Sequence, residues 1–444
     1  MKRRGRVGIF VVYYPFGTTT QVVNAATLLA QNGYQVDVFL FGAVGKDLVD
    51  FGDMPVTVYD VQPPESQGAS GNSKERLRAF LACLRLTGIG QWLWRSFNTA
   101  RWHWRAHLGL RPEYLLIPQV IIDQIRACMT HHPEEYRCLI AVEGRALVLA
   151  GLLGQELNVP YLYYSLELYT SDGPEYSGAE FQLLKQLERR YHQGSTATLI
   201  QTPERARILC EDNRIPDARV FYLPVSLLGD SMTTKSTYLH RLLGVAPATK
   251  IILYAGYVHH ADLLLELVQA SQTLPESWLL VVHGFTHANL EFSQRFVDRF
   301  ASANTQGRAT LSNTIVPQEA VSELVASAHI GLALYEDISA NFTSIAFASE
   351  KLARYYQCGV PVVVNDLPSL RQMIAESKGG QCVSKASDFL DAVHVIDQDY
   401  DRYRANALAG YERFYRFDHH FQPVVGSIDS LEAAEARPFV GSIL

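Results

Sequence analysis

Cysteine is scarce in this chain. There are six in 444 residues, at 83, 128, 138, 210, 358 and 382, and no two are spaced as CxxC. That spacing excludes a disulfide framework and a zinc ribbon, and it suits reduced, mostly buried thiols of a cytosolic protein. Long apolar runs are missing too: no stretch reaches the roughly 20 residues that a membrane-spanning helix requires. A basic start at 1–6 precedes an apolar run at 7–16, but the run is strand-like and lacks a small-residue cleavage site. It is expected to be a first strand rather than a signal peptide. Neither sign of charge is in large surplus, with 39 Lys and Arg against 45 Asp and Glu, net −6. A protein that coats nucleic acid through bulk positive charge is excluded, and no nucleic-acid partner is expected. No repeat of solenoid period is present.

What is present is an apolar, lightly charged chain, 48% hydrophobic and 19% charged, long enough for two domains with a core each. Short apolar runs alternate with segments of helical period throughout, which predicts an α/β protein with parallel sheets. The first unit of that alternation is a strand at 6–14, a loop at 15–20, a helix at 21–32 closed by Gly33, and a strand at 34–41. This is the opening of a Rossmann-like domain. Residues 228–248 turn polar, with a short amphipathic piece, and read as the linker region, and the alternation restarts at 250. The expected division is a domain at 1–227, a second at 245–398, and a C-terminal helix and tail at 399–444.

The segment Ser349-Glu350-Lys351-Leu352-Ala353-Arg354-Tyr355-Tyr356-Gln357-Cys358-Gly359-Val360-Pro361-Val362-Val363-Val364 carries the most information. Ser349 suits a helix cap, Gly359 a helix stop, and the valine run a fully buried strand. Glu350 and Lys351 fall in the first turn, where backbone N–H groups point outward and favour an anion. A helix opening with Ser-Glu-Lys at the mouth of a parallel sheet suits a ligand with both phosphate and ribose.

These residues resemble the donor-binding signature of the two-domain nucleotide-sugar glycosyltransferases of the GT-B type, especially the large retaining family 4. Ser349, Lys351, Leu352, Tyr355 or Tyr356, Gly359, Pro361, Val362 and Val363 match its pattern. The resemblance implies two Rossmann-like domains facing a central cleft, with the nucleotide-sugar donor in the second and the acceptor in the first. It also implies a final helix that crosses back onto the first domain. The expected donor set is Gly256, His259, His283, Gly284, Val316, Ser349, Glu350, Lys351 and Leu352. Of these, Glu350 is implied for the ribose and Lys351 for the diphosphate. Transfer is expected with retention, from a sugar nucleotide used as substrate, with no cofactor and no metal. The Asp-x-Asp spacing at Asp397, Asp399 and Asp401 falls past the last expected strand of the second domain.

Two departures bear on turnover. Many family members carry a glutamate eight positions before the Glu of this signature, where this chain has Phe342. The loop after Gly256 often holds a cation for the diphosphate, but here it reads Tyr257-Val258-His259-His260. Either histidine replaces that cation only when protonated or as a hydrogen-bond donor, and each also reads as an ordinary loop residue. A catalytically degenerate protein that binds a sugar nucleotide or a partner is therefore the rival reading. A sugar-nucleotide 2-epimerase on the same fold is the third.

In the first domain, Glu143 and Glu167 each follow a buried strand, at an edge where an acid meets acceptor hydroxyls or serves as a base. Glu350, Lys351 and Glu167 are the candidate catalytic residues, and Gly17, Thr18, Glu143 and Glu167 the candidate acceptor set. The plain alternatives are a helix cap or an ion pair with Arg145 for Glu143, and a turn glycine for Gly17. Four of the five tryptophans, Trp92, Trp94, Trp102 and Trp104, interleave with Arg95, Arg101 and Arg105. That pattern suits a lipid–water interface, a packed helical hairpin or a saccharide platform. The expected acceptor is a polysaccharide, a lipid-linked glycan or a small molecule. The expected location is the cytoplasm, with membrane contact through the tryptophans.

Overall fold

A computed structural model describes residues 4–63, 111–132, 135–171, 178–216, 218–284 and 290–431. Trp92, Trp94, Trp102 and Trp104 lie outside them. No described helix is long and apolar enough to cross a membrane.

The described chain divides into two compact units, Met1–Tyr222 with Phe421–Leu444, and Leu223–His420. The first holds a sheet of β1 (Arg6–Val12), β2 (Gln35–Phe41), β3 (Val56–Asp60), β4 (Tyr136–Val142), β5 (Tyr161–Tyr164), β6 (Ala197–Ile200) and β7 (Val220–Tyr222). Its order is β3-β2-β1-β4-β5-β6-β7, and every pairing is parallel. The second holds β8 (Lys250–Ala255), β9 (Trp278–His283), β10 (Ala309–Ser312), β11 (Ile330–Ala333), β12 (Val362–Asn365) and β13 (Gly380–Val383). Its order is β10-β9-β8-β11-β12-β13, again all parallel.

Both sheets are built from strands that read as nearly unbroken apolar runs. Cys138, Leu139, Ile140, Ala141 and Val142 of β4, and Val362, Val363 and Val364 of β12, are at most 1% exposed. That is the pattern of strands covered by helices on both faces. In each sheet the strand order reverses beside its first strand, between β1 and β4 and between β8 and β11. At such a switch point neighbouring connections leave in opposite directions, which opens a crevice outside the carboxyl ends of the strands.

The end of the chain, expected as one helix and a tail from 399, holds more than one helix. The helix Tyr400–Gly410 runs into a wider turn, Tyr411–Tyr415, and a last helix spans Phe417–Asp429. A Cβ on Gly410 would lie 2.6 Å from the Tyr356 ring, so the chain passes closer to the second unit's core than any larger residue allows. Tyr415 donates to the Ala346 carbonyl at 2.7 Å, and Tyr411 to that of Gly229 at 2.9 Å. Residues 399–420 thus group with the second unit, and the chain counts with the first only from Phe421. There Asp429 accepts from Tyr34 at 2.6 Å and pairs with Arg4 at 2.9 Å.

Candidate functional site

In the second unit, the helix Glu350–Gln357 starts where the sequence predicts. Ser349 has extended backbone, and its Oγ accepts from the Leu352 N–H at 3.3 Å. Leu352, Ala353, Tyr355 and Tyr356 are fully buried, and Gly359, at φ +61°, ends the helix. The Tyr355 hydroxyl donates to the Leu253 carbonyl at 2.7 Å and accepts from the Ala255 N–H at 3.1 Å. It therefore ties this helix to the carboxyl end of β8. Gly331 makes room for it, because a Cβ there would sit 2.7 Å from the ring.

Lys351 is the unusual member of this group. Its Nζ is sealed from solvent and has no hydrogen-bond partner among the described residues. It lies 3.7 Å from the centroid of the Tyr254 ring and 5.8 Å from that of Tyr335. Tyr254 belongs to β8 and Tyr335 follows β11, so the ammonium sits at the switch point of the second sheet. Burial lowers its pKa to about 7. Glu350 has one oxygen held by Arg354 at 2.6 Å, and Arg354 also donates to Ser322 at 3.0 Å.

Gly256 and Gly284 follow β8 and β9, both with left-handed backbone, φ +89° and +70°. Nothing lies within 4 Å of a Cβ built on Gly256, so this strand end is open to a ligand. His283 is buried and pairs with Ser312 Oγ through Nδ1 at 3.0 Å. Val316 is partly buried against the core.

Of the alternatives left open for His259, the protonated cation is the one its surroundings disfavour. Its ring packs among Tyr257, Tyr335 and Phe342, at centroid distances of 5.0, 5.3 and 5.7 Å. Burial first, and the Lys351 charge second, lower its pKa to about 4. His260 caps the next helix, accepting from the Leu263 N–H. Phe342, in the position of the missing acid, completes this aromatic wall.

In the first unit, a cavity of about 590 Å³ lies at the β1/β4 switch point, with Tyr13, Tyr14, Glu143, Tyr169, Phe181 and Lys185 in its lining. Glu143 is 5% exposed and has φ +69°, a conformation that costs a non-glycine residue free energy. Its Oε1 accepts from the Leu166 N–H at 2.7 Å and the Glu167 N–H at 2.8 Å. Its Oε2 is buried with no hydrogen-bond partner among the described residues. Arg145 pairs with Glu180 and not with Glu143, and the Glu143 carboxyl accepts from Leu166 and Glu167 rather than capping the start of its own helix.

The other expected acceptor residues fare differently. Glu167 is half exposed, 4.0 Å from Arg205, and its side chain does not line the cavity. Gly17 has a structural reason to be glycine, because a Cβ there would meet the Gly45 carbonyl oxygen at 1.8 Å. Thr18 is exposed and is not part of the lining. Sequence reasoning missed the rings: Tyr13 and Tyr14 after β1, and Tyr254 and Tyr335 around Lys351. The strand-end rule that marked Glu143 applies equally to Tyr13-Tyr14 at the end of β1.

Solved structures align over nearly the whole chain. A glycosyltransferase from Rickettsia africae superposes with a TM-score of 0.64 at 10% identity, covering 97% of this chain and 99% of its own. HepE of Anabaena, solved with UDP and glucose, gives 0.62 at 14%, covering 96% and 100%. Sucrose-phosphate synthase from Thermosynechococcus elongatus gives 0.58 at 13%, covering 95% and 98%. The chain has the GT-B fold. No protein-family model matches the sequence, and no curated protein sequence matches it. At these identities the likeness establishes the GT-B architecture, two parallel sheets of seven and six strands, and leaves the chemistry to the residues.

Proposed function

We propose that this protein is a glycosyltransferase. In this reading the second unit binds a nucleotide-sugar donor, and its sugar passes to a hydroxyl acceptor with retention and without a metal. The observation that carries it is the Lys351 ammonium, buried without a hydrogen-bond partner among the described residues, at the start of a helix and at a sheet switch point. A buried charge with no anion is costly, and a diphosphate supplies the missing one. In this reading the backbone donors of the helix start and the strand end left open at Gly256 take the same group. The complex of HepE with UDP and glucose supports a uridine nucleotide as the first to try. Glu350, beside Lys351, is assigned to the ribose hydroxyls.

A binding-only protein is the second reading. The neutral His259 and the apolar Phe342 favour it, because they leave Lys351 as the one cation assigned to the leaving diphosphate.

A thermal-shift screen against UDP, GDP, ADP, dTDP and CMP and their sugars tests the donor site. A ligand at about a hundred times its Kd adds roughly 2.7 kcal/mol of stability. A shift with one nucleotide, followed by transfer or slow hydrolysis of that nucleotide's sugar, supports the enzyme. A shift without any turnover supports the binding-only protein, and no shift removes the donor site.

A further inference from the structure

The chain after β8 and the chain after β11 build a wall of rings beside the Lys351 ammonium. Tyr257 and His259 come from the first segment, Tyr335 and Phe342 from the second. His259 is in contact with the other three rings, and the centroids of Tyr335 and Phe342 lie 6.4 Å apart. The Tyr335 ring is also 5.8 Å from Lys351 Nζ. The wall can be reached by a ligand. Tyr257 is 44% exposed, His259 and Phe342 are partly exposed, and a Cβ on Gly256 would meet nothing within 4 Å.

The hydroxyls around this wall are committed to the protein. Tyr254 donates to the Tyr257 carbonyl at 2.9 Å and accepts from the His259 N–H at 3.1 Å. Tyr335 pairs with Ser349. Thr343 donates to the Ala340 carbonyl at 3.3 Å, and Ser344 donates to the same oxygen. The Glu336 carboxylate, next along the chain from Tyr335, lies 4.0 Å from His260. A sugar hydroxyl laid against these rings gives up water for little in return, whereas a C–H face or a methyl group gains contact.

We infer that the donor sugar is a 6-deoxyhexose, with its methyl group and C–H face against Phe342 and His259. The inference rests on the glycosyltransferase reading above and adds the class of sugar to it. Arg354 ties Glu350 to Ser322, at 2.6 and 3.0 Å, and Ser322 belongs to the helix Val321–Ala326 that follows Val316. The ribose residue and the segment around Val316 are thereby joined, so the nucleoside is assigned to them and the wall is left for the sugar. C6 is the position at which loss of a hydroxyl leaves a projecting methyl group rather than a bare ring carbon, and a projecting methyl is what an apolar wall rewards.

The test is calorimetric binding to the full chain. Glucose, galactose and mannose are each compared with their 6-deoxy forms, carried on UDP, GDP, ADP and dTDP, beside the free nucleoside diphosphates. On the nucleotide that the protein accepts, a 6-deoxy form should bind at least about tenfold more tightly than its hexose. Phe342→Gln brings an amide to the wall and should remove most of that preference, while Phe342→Leu keeps the wall apolar and should retain it. Neither variant should change the affinity for the free nucleoside diphosphate by more than about twofold, because that ligand lacks the sugar. Melting curves establish that each variant is folded. Equal binding of the two forms, tighter binding of the hexose, a preference untouched by Phe342→Gln, or a loss of free-nucleotide affinity in that variant would overturn the sugar class and leave the donor site standing. No binding of any nucleotide would overturn both.

Discussion

The Lys351 ammonium rests 3.7 Å from the centre of the Tyr254 ring, and no carboxylate, carbonyl or hydroxyl among the described residues reaches it. A cation on a ring face recovers part of its lost hydration, though less than an anion would give. Under the donor-site proposal, a negative ligand would supply the partner that the described residues do not.

Lys351→Met should separate these effects. The methionine keeps the stem and removes the charge, so the ligand-free protein should gain roughly 1–3 kcal/mol of stability. Nucleotide binding should fall by at least about tenfold. Thermal melting with and without the nucleotide reads both. A variant less stable than the wild type, or one that still shifts normally, would sink the assignment.

Nucleotide binding should also take up a proton. Free Lys351 has its pKa lowered to about 7, and a bound diphosphate raises it again. Below about pH 7 the residue is charged in both states, and affinity is flat with respect to this group. Above it the free form is neutral while the bound form is charged, so affinity falls as pH rises. Calorimetry in two buffers of different ionisation enthalpy measures the uptake. Zero uptake above neutrality would place the anion elsewhere.

Glu143 has the opposite linkage sign to an ordinary surface carboxylate. Its pKa is raised in the folded state to about 8, so the folded protein holds a proton that the unfolded chain has already lost. The stability contributed by this group is complete below the unfolded pKa and is lost as pH rises through the folded one. Glu143→Gln should therefore melt at a temperature less dependent on pH between about 5 and 8 than the wild type does. Parallel curves for the two proteins would show that the carboxyl is already ionised.

Tyr355→Phe should cost about 1–3 kcal/mol, since it leaves the buried Ala255 N–H and Leu253 carbonyl without the hydroxyl they share. Gly331→Ala should cost at least as much by driving a Cβ into the same ring. Urea denaturation measures both. A neutral Tyr355→Phe would mean that water satisfies the strand end.

Gly17→Ala tests whether that glycine belongs to a ligand site or to the fold. With the Gly45 carbonyl 1.8 Å from the new Cβ, the loop after β1 has to move, and the loss should be about 2 kcal/mol or more. A stable variant with altered ligand binding would restore Gly17 to the acceptor set.

The sequence by itself determined the alternation of strands and helices, because strands buried on both faces need unbroken apolar runs and helices need their period and caps. It also marked the Ser349 cap and the Gly359 stop, which are local backbone chemistry. It placed Glu143 and Lys351 at strand and helix ends for the same reason. It did not show that Glu143 keeps one oxygen unmatched, that His259 lies among aromatic rings, or that Gly17 answers to Gly45. Nor did it show the last helix, Phe417–Asp429, where Pro423 interrupts the helical pattern. Those facts depend on which distant residues come into contact. Only the tertiary structure decided them, since burial and hydrogen bonding across the fold set a side chain's protonation and freedom, and neither is a property of local sequence.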